Sequence, residues 1–333
     1  MRKKIKAMYR FIYFILLLLL AACEPEDWST PGNLVPPTVD EDSSIPSLSI
    51  NGTLLHVESY GDPADPLLVV IHGGPGGDFR SLLNAKDLVD DGFFVVFYDQ
   101  RGTGLSKREH RSQFEGENVT DLFVEDLHAL IDHFSPTQDG VFLLGHSWGA
   151  MLATAYIDKY PGHIRGAVLA EPGGLTWEQA EEYMSRSNEV KFFNEALNNM
   201  LIAEEVVAGR SEHEILDYKA SFSANFENAP GNTIGNPGHY PFWRNGAVAA
   251  ESLYKMAEKH GFDFTANLHA YEAEILLLYS QNNKAYGEAW ALEVAAPFPH
   301  AKIDVVRNSG HEMLYFGWAD MYPKVSTYLK QLK

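Results

Sequence analysis

Cysteine is almost missing from this chain of 333 residues, since Cys23 is the only one. One thiol cannot build a disulfide framework or a cysteine metal site, so any core has to rest on apolar burial. Positive charge is scarce as well. Twenty-six lysines and arginines stand against 45 acids, a formal net charge of −19, which excludes nucleic acid as a natural partner and leaves solubility as the main consequence. Beyond the first 22 residues there is no second apolar run of the roughly 20 residues that a membrane span needs. No internal repeat and no His/Cys cluster with metal-ligand spacing is visible. The glycine-rich residues 73–77 lack the Lys-Ser/Thr pair of a phosphate loop. Neither a metal nor a cofactor is implied.

The chain does carry an address at its start. Arg2, Lys3, Lys4, Lys6 and Arg10 form a basic head, followed by twelve apolar residues at 11–22, the layout of a signal peptide and too short to span. The run closes on Leu20-Ala21-Ala22-Cys23, which resembles the lipobox of bacterial lipoproteins. That resemblance implies removal of residues 1–22 and lipidation of Cys23, and it accounts for a lone cysteine in an exported chain. A plain secretory signal is the alternative. Loss of the leader leaves 21 basic residues against 45 acids, a charge of −24. Residues 23–46 hold Pro25, Pro31, Pro36, Pro37 and Pro46 without hydrophobic periodicity, and are expected to form a flexible tether. The expected location is the bacterial cell envelope, outside the cytoplasm, with the membrane as a partner through the anchor at Cys23.

Residues 47–50 and 53–60 alternate around Asn51-Gly52, a hairpin signal. Continuous apolar runs at 67–71, 93–98, 141–144, 164–170, 275–279 and 303–306 read as buried strands. Helical spacing at 120–134 and a helix-length segment at 288–296 lie between them. Strand and helix in alternation predict an α/β fold, a mostly parallel sheet with helices on both faces. Residues 173–267 break the rhythm. They are polar, helix-favouring and interrupted by turns, and are expected to form an inserted lid between core parts at 47–172 and 268–333.

Three motifs sit at predicted strand ends. Gly145-His146-Ser147-Trp148-Gly149 follows one apolar run and reads as a strand-turn-helix with Ser147 as nucleophile. His72-Gly73-Gly74-Pro75-Gly76-Gly77 follows another, and Asp99-Gln100-Arg101-Gly102-Thr103-Gly104-Leu105-Ser106 a third. In this order they closely resemble the α/β-hydrolase fold, in particular the prolyl aminopeptidase (proline iminopeptidase) family, over residues 47–333 apart from the lid. The resemblance implies that the backbone N–H groups of Gly74 and Trp148 form an oxyanion hole. It implies that His311, in Asn308-Ser309-Gly310-His311-Glu312, is the base a serine hydroxyl requires. Asp99 and Arg101 are expected to brace the site, and His72 and His146 to shape loops.

The chain departs from the family pattern at the third catalytic member. An aspartate is expected after the strand at 275–279, and Asn283 stands there. An amide cannot stabilise the imidazolium that forms when histidine takes a proton. Glu171, ending the strand at 164–170, is the best relocated acid, with a lid-anchoring role as its alternative; Asp304 and Glu288 are weaker because each is expected to face solvent. The lid glutamates that grip the substrate amine in prolyl aminopeptidases have no residue-by-residue match here. Trp177, Phe192, Phe193, Tyr240, Phe242 and Trp243 could line a pocket or form lid core. The expected activity is a serine hydrolase cleaving a small amide or ester through an acyl-enzyme, with a small peptide or ester as its substrate. A carboxylesterase or other acyl hydrolase is the nearer alternative. A non-catalytic ligand-binding protein is the alternative of another class, and Asn283 is its best support.

Overall fold

The computed structural model describes residues 34–116, 118–135, 140–187, 211–227 and 232–333. The leader, Cys23, Phe192 and Phe193 lie outside them. The Asn51-Gly52 pair takes positive φ at both residues, 43° and 77°, and folds β1 (Ser47–Ile50) back on β2 (Thr53–Tyr60). β3 (Leu67–Ile71), β4 (Phe94–Tyr98), β5 (Phe142–His146), β6 (Gly166–Ala170), β7 (Ile275–Ser280) and β8 (Ala301–Val306) complete one eight-stranded sheet in the order β1-β2-β4-β3-β5-β6-β7-β8. β1 with β2 and β2 with β4 pair antiparallel, and every other pairing is parallel.

In chain order the described α-helices are α1 (Val119–Phe134), α2 (Trp148–Lys159), α3 (Trp177–Ser187), α4 (Glu212–Glu227), α5 (Ala247–His260), α6 (Gly287–Ala295), α7 (Met313–Phe316) and α8 (Trp318–Leu332). They cover both sheet faces, which is why every residue of β3, β4, β5 and β6 is buried and apolar runs replace alternation. Successive side chains still divide between layers. Leu67, Val69 and Ile71 pack with residues of α1, α2 and α6, while Leu68 and Val70 pack with the 3₁₀ segment Arg80–Asp91, α7 and α8. No helix among the described residues is long and apolar enough to cross a membrane.

Two features position the site. β3 lies between β4 and β5, so the chain leaves it in opposite directions and opens a crevice at the carboxyl ends of β3 and β5. The insertion between β6 and β7 carries α3, α4 and α5 and is riveted to the core by Asp217 on α4. This fully buried carboxylate accepts Arg108 Nε and Arg244 Nε, both at 2.8 Å, and the Ala247 N–H at 2.9 Å.

The tether expected at 23–46 needs correction from residue 34 onward; residues 23–33 lie outside the described residues. Residues 34–46 are a strap bound to the body: Val35, Thr38 and Val39 are buried, the Val39 N–H donates to Leu105 O at 2.9 Å, and Arg244 Nη1 donates to Pro36 O at 2.9 Å. Composition concealed this because two valines four residues apart make no periodic signal, and an arginine two hundred residues away supplies the hydrogen bond.

Removing the Asp217 charge would leave Arg108 and Arg244 buried beside an amide. Asp217→Asn is therefore expected to cost about 3–5 kcal/mol of unfolding free energy, measured by denaturant titration; a loss below about 1 kcal/mol would contradict the rivet.

Candidate active site

β5 ends in a turn that places Ser147 at φ 54°, ψ −122°, just ahead of α2. Such a backbone costs on the order of 1–3 kcal/mol and persists because its surroundings leave no other path. A Cβ on Gly145 would lie 2.4 Å from Gly149 O, one on Gly149 would lie 2.1 Å from Ile71 O, and the Ser147 N–H is held by Ala170 O at 2.8 Å. Trp148 is the first residue of α2, where N–H groups have no partner within the helix. Gly74 sits at φ 127° in the loop after β3 and lines the same cavity as Ser147.

The loop after β4 holds these two turns together. Gln100 accepts Trp148 Nε1 at 2.9 Å, donates through Nε2 to His72 O at 2.8 Å, and donates its backbone N–H to His72 Nε2 at 3.0 Å. Burial depresses the His72 pKa, in keeping with a neutral ring that accepts there. Asp99 accepts the N–H groups of Phe79 and Leu105 and contacts His56 Nδ1 at 2.7 Å, while Arg101 forks onto Asp126 at 2.8 and 2.6 Å. Both sit in bracing networks, and neither lines the cavity.

His311 follows β8. Its Nδ1 lies 2.6 Å from Oε2 of Glu171, which is fully buried and has φ 47° immediately beyond β6. Glu171 Oε1 accepts both the N–H and the hydroxyl of Ser280 at 2.6 Å, and Oε2 also accepts Asn283 Nδ2 at 2.9 Å. The Asn283 amide is fixed in turn by donating to the Tyr183 hydroxyl and accepting the Ala285 N–H. Asp304 accepts the Val305 N–H on β8 and Glu288 is exposed, so neither joins this group.

Burial alone would push the Glu171 pKa up, but the His311 contact and the Ser280 donors outweigh it and hold the carboxyl below its ordinary value. Burial would likewise lower His311, yet the bond to Glu171, its charge and that of Glu312 raise the imidazole above its ordinary value.

Ser147, His146, His311 and Glu312 line one cavity of about 480 Å³, walled on the insertion side by Tyr240 and Phe242. A smaller apolar cavity of about 130 Å³ shares Gly74 and Ser147 and is lined by Trp148, Met151, Trp177 and Leu253 among others. Trp243 packs instead against Phe79 and His56. Sequence reasoning missed Ser280, Tyr183 and Asp78. Asp78 also lines the larger cavity, where burial and the neighbouring Asp99 raise its pKa to about 7 although it accepts the N–H groups of Arg80, Trp243 and Arg244. Its position after a glycine-rich loop offered no signal. Among the described residues, His146, His311 and Glu312 are the one group of three with metal-ligating atoms within 4.8 Å of one another.

A family model described as alpha/beta hydrolase fold matches residues 66–317. This chain belongs to the α/β-hydrolase fold family. The hydrolase is similar to the proline iminopeptidase of Thermoplasma volcanium, 38% identical over 109 residues that cover 33% of this chain and 35% of that protein. The match therefore spans about a third of that relative's length. It is similar across most of its length to the proline iminopeptidase PfmaB of Pestalotiopsis fici, 25% identical over 279 residues, 80% of this chain and 92% of that one. The crystal structure of proline iminopeptidase from Mycobacterium smegmatis shares its fold with a TM-score of 0.56 at 16% identity, covering 86% of this chain and 98% of that one. These matches support a hydrolytic enzyme.

If Glu171 carries the acid's role, Glu171→Gln should lower turnover by about 10⁴-fold, the effect of an amide at this place in serine proteases. Glu171→Gln/Asn283→Asp should recover at least about tenfold of that, because a carboxylate returns within reach of the same histidine. Near-normal turnover in Glu171→Gln, measured on any hydrolysed substrate, would remove Glu171 from the mechanism.

Proposed function

We propose that this α/β-hydrolase is a serine hydrolase that works through an acyl-enzyme, with a prolyl-aminopeptidase-like substrate preference. The observation that carries the reading is the buried Glu171–His311 pair opening onto the cavity that Ser147 lines. His311, with Nδ1 engaged by Glu171, takes the Ser147 proton through Nε2 as the hydroxyl attacks the substrate carbonyl. Glu171 stabilises the imidazolium, and the N–H groups of Gly74 and Trp148 receive the charge that develops on oxygen. The imidazolium then protonates the leaving amine or alcohol, and water, deprotonated by the same histidine, releases the acyl group from Ser147. A peptide substrate is favoured over an ester by the likeness to PfmaB along most of the chain.

Ser147→Ala should abolish hydrolysis and labelling by a fluorophosphonate probe, while the wild type labels with one probe per chain; a wild type that does not label would favour the ligand-binding alternative. Proline β-naphthylamide with a free amine should be cleaved faster than its N-acetylated form. A clear preference for blocked amides or p-nitrophenyl esters would move the assignment to a carboxylesterase.

We further propose anchoring to a membrane of the bacterial envelope through a lipid on Cys23, supported by the basic head and apolar run before it. Two or more acyl chains give stable attachment. Cys23→Ser should lose incorporated labelled fatty acid and move from the membrane to the soluble fraction; equal incorporation in both proteins would exclude the anchor.

A further inference from the structure

The histidine of the serine turn, His146, and the acid after His311, Glu312, neither take nor give a proton in the hydrolytic steps. His146 is buried, its Nε2 lies 2.8 Å from His311 O, and its ring centroid is 4.7 Å from that of His311. Nε2 donates to that carbonyl, so the neutral ring carries its lone pair on Nδ1. In the same way, His311 Nδ1 donates to Glu171 and leaves the lone pair on Nε2. Each ring therefore offers one nitrogen while its other nitrogen is oriented by an oxygen, the arrangement that steers histidine ligands in metal sites. Glu312 supplies the third group. It is largely buried, its backbone N–H is held by Asn236 at 2.8 Å, and its carboxylate makes no hydrogen bond or ion pair among the described residues.

We infer that His146, His311 and Glu312 form an inhibitory binding site for a divalent transition ion of the zinc type. Two imidazoles and a carboxylate with an open cavity beside them match a three-ligand zinc set with a vacant fourth position. One ligand atom from each residue lies within 4.8 Å of the others, whereas ligands on tetrahedral zinc are about 3.4 Å apart for bonds near 2.1 Å. The unpartnered Glu312 side chain can supply much of that contraction. A metal on His311 Nε2 occupies the lone pair that would take the Ser147 proton, so binding and hydrolysis exclude each other. Hard ions such as Mg²⁺ prefer six oxygen ligands and should not compete.

The test uses the full chain with Zn²⁺, Co²⁺ and Mg²⁺ as probes. One Zn²⁺ per chain should bind by calorimetry, inhibit hydrolysis reversibly with relief by EDTA, and slow fluorophosphonate labelling, with Mg²⁺ inert. Co²⁺ should give the visible absorption of a low-coordinate nitrogen–oxygen site, a readout that stands even if the hydrolytic reading fails. Glu312→Gln should weaken Zn²⁺ binding and inhibition at least tenfold. His146→Asn should weaken binding similarly. Should that buried substitution unfold the chain, Glu312→Gln decides alone. Absence of stoichiometric binding, or equal Zn²⁺ affinity in wild type and Glu312→Gln, overturns the site.

Discussion

The proton between His311 Nδ1 and Glu171 Oε2, across 2.6 Å in a fully buried setting, is the contact on which the arrangement of the site depends. A carboxylate without water is unfavourable unless donors surround it. Here His311, two groups of Ser280 and the amide of Asn283 supply them. The Ser280 and Asn283 donors come from the end of β7 and the loop beyond it, whereas Glu171 lies just beyond β6 and His311 follows β8. Three neighbouring parallel strands are thus drawn to one point, and the serine turn joins them through Ala170 O and His311 O.

The asparagine at the customary acid position becomes intelligible from the same contact. An aspartate at 283 would bring a second carboxylate close to Glu171 Oε2, where Asn283 Nδ2 now lies at 2.9 Å. Two like charges at such separation in a poorly solvated place disfavour joint ionisation. An amide reverses the sign of the interaction and adds a donor. Asn283 thus suits an ionised neighbour, donating to Glu171 where a second carboxylate would repel it.

Much of the sheet was legible in the sequence because buried parallel strands leave unbroken apolar runs. Glycine patterns then marked the turns at their carboxyl ends. Ser147 was a candidate from its motif, Gly74 and His311 from the family resemblance that the motifs carry, and Glu171 from a resemblance to members of the wider fold that place the acid after the preceding strand. What stayed hidden depends on three-dimensional neighbours. Tyr183 reaches Asn283 from the insertion across a hundred residues of sequence. Ser280 looks like an ordinary strand end. The strap at 34–46 reads as a tether because proline and acid dominate its composition, while its attachment rests on Val35, Val39 and an arginine from the far side of the insertion.

The most direct measurement of the account is the protonation of His311 followed by ¹⁵N nuclear magnetic resonance on histidine-labelled protein. The neutral ring should hold its proton on Nδ1. It should titrate above the ordinary histidine value, since Glu171 and Glu312 stabilise the charged form against burial. In Glu171→Gln the titration should move to lower pH, as the charged form loses its main partner. An Nε2-protonated ring in the wild type, or the same titration midpoint in both proteins, would contradict the claim that Glu171 is the group that orients and charges the histidine.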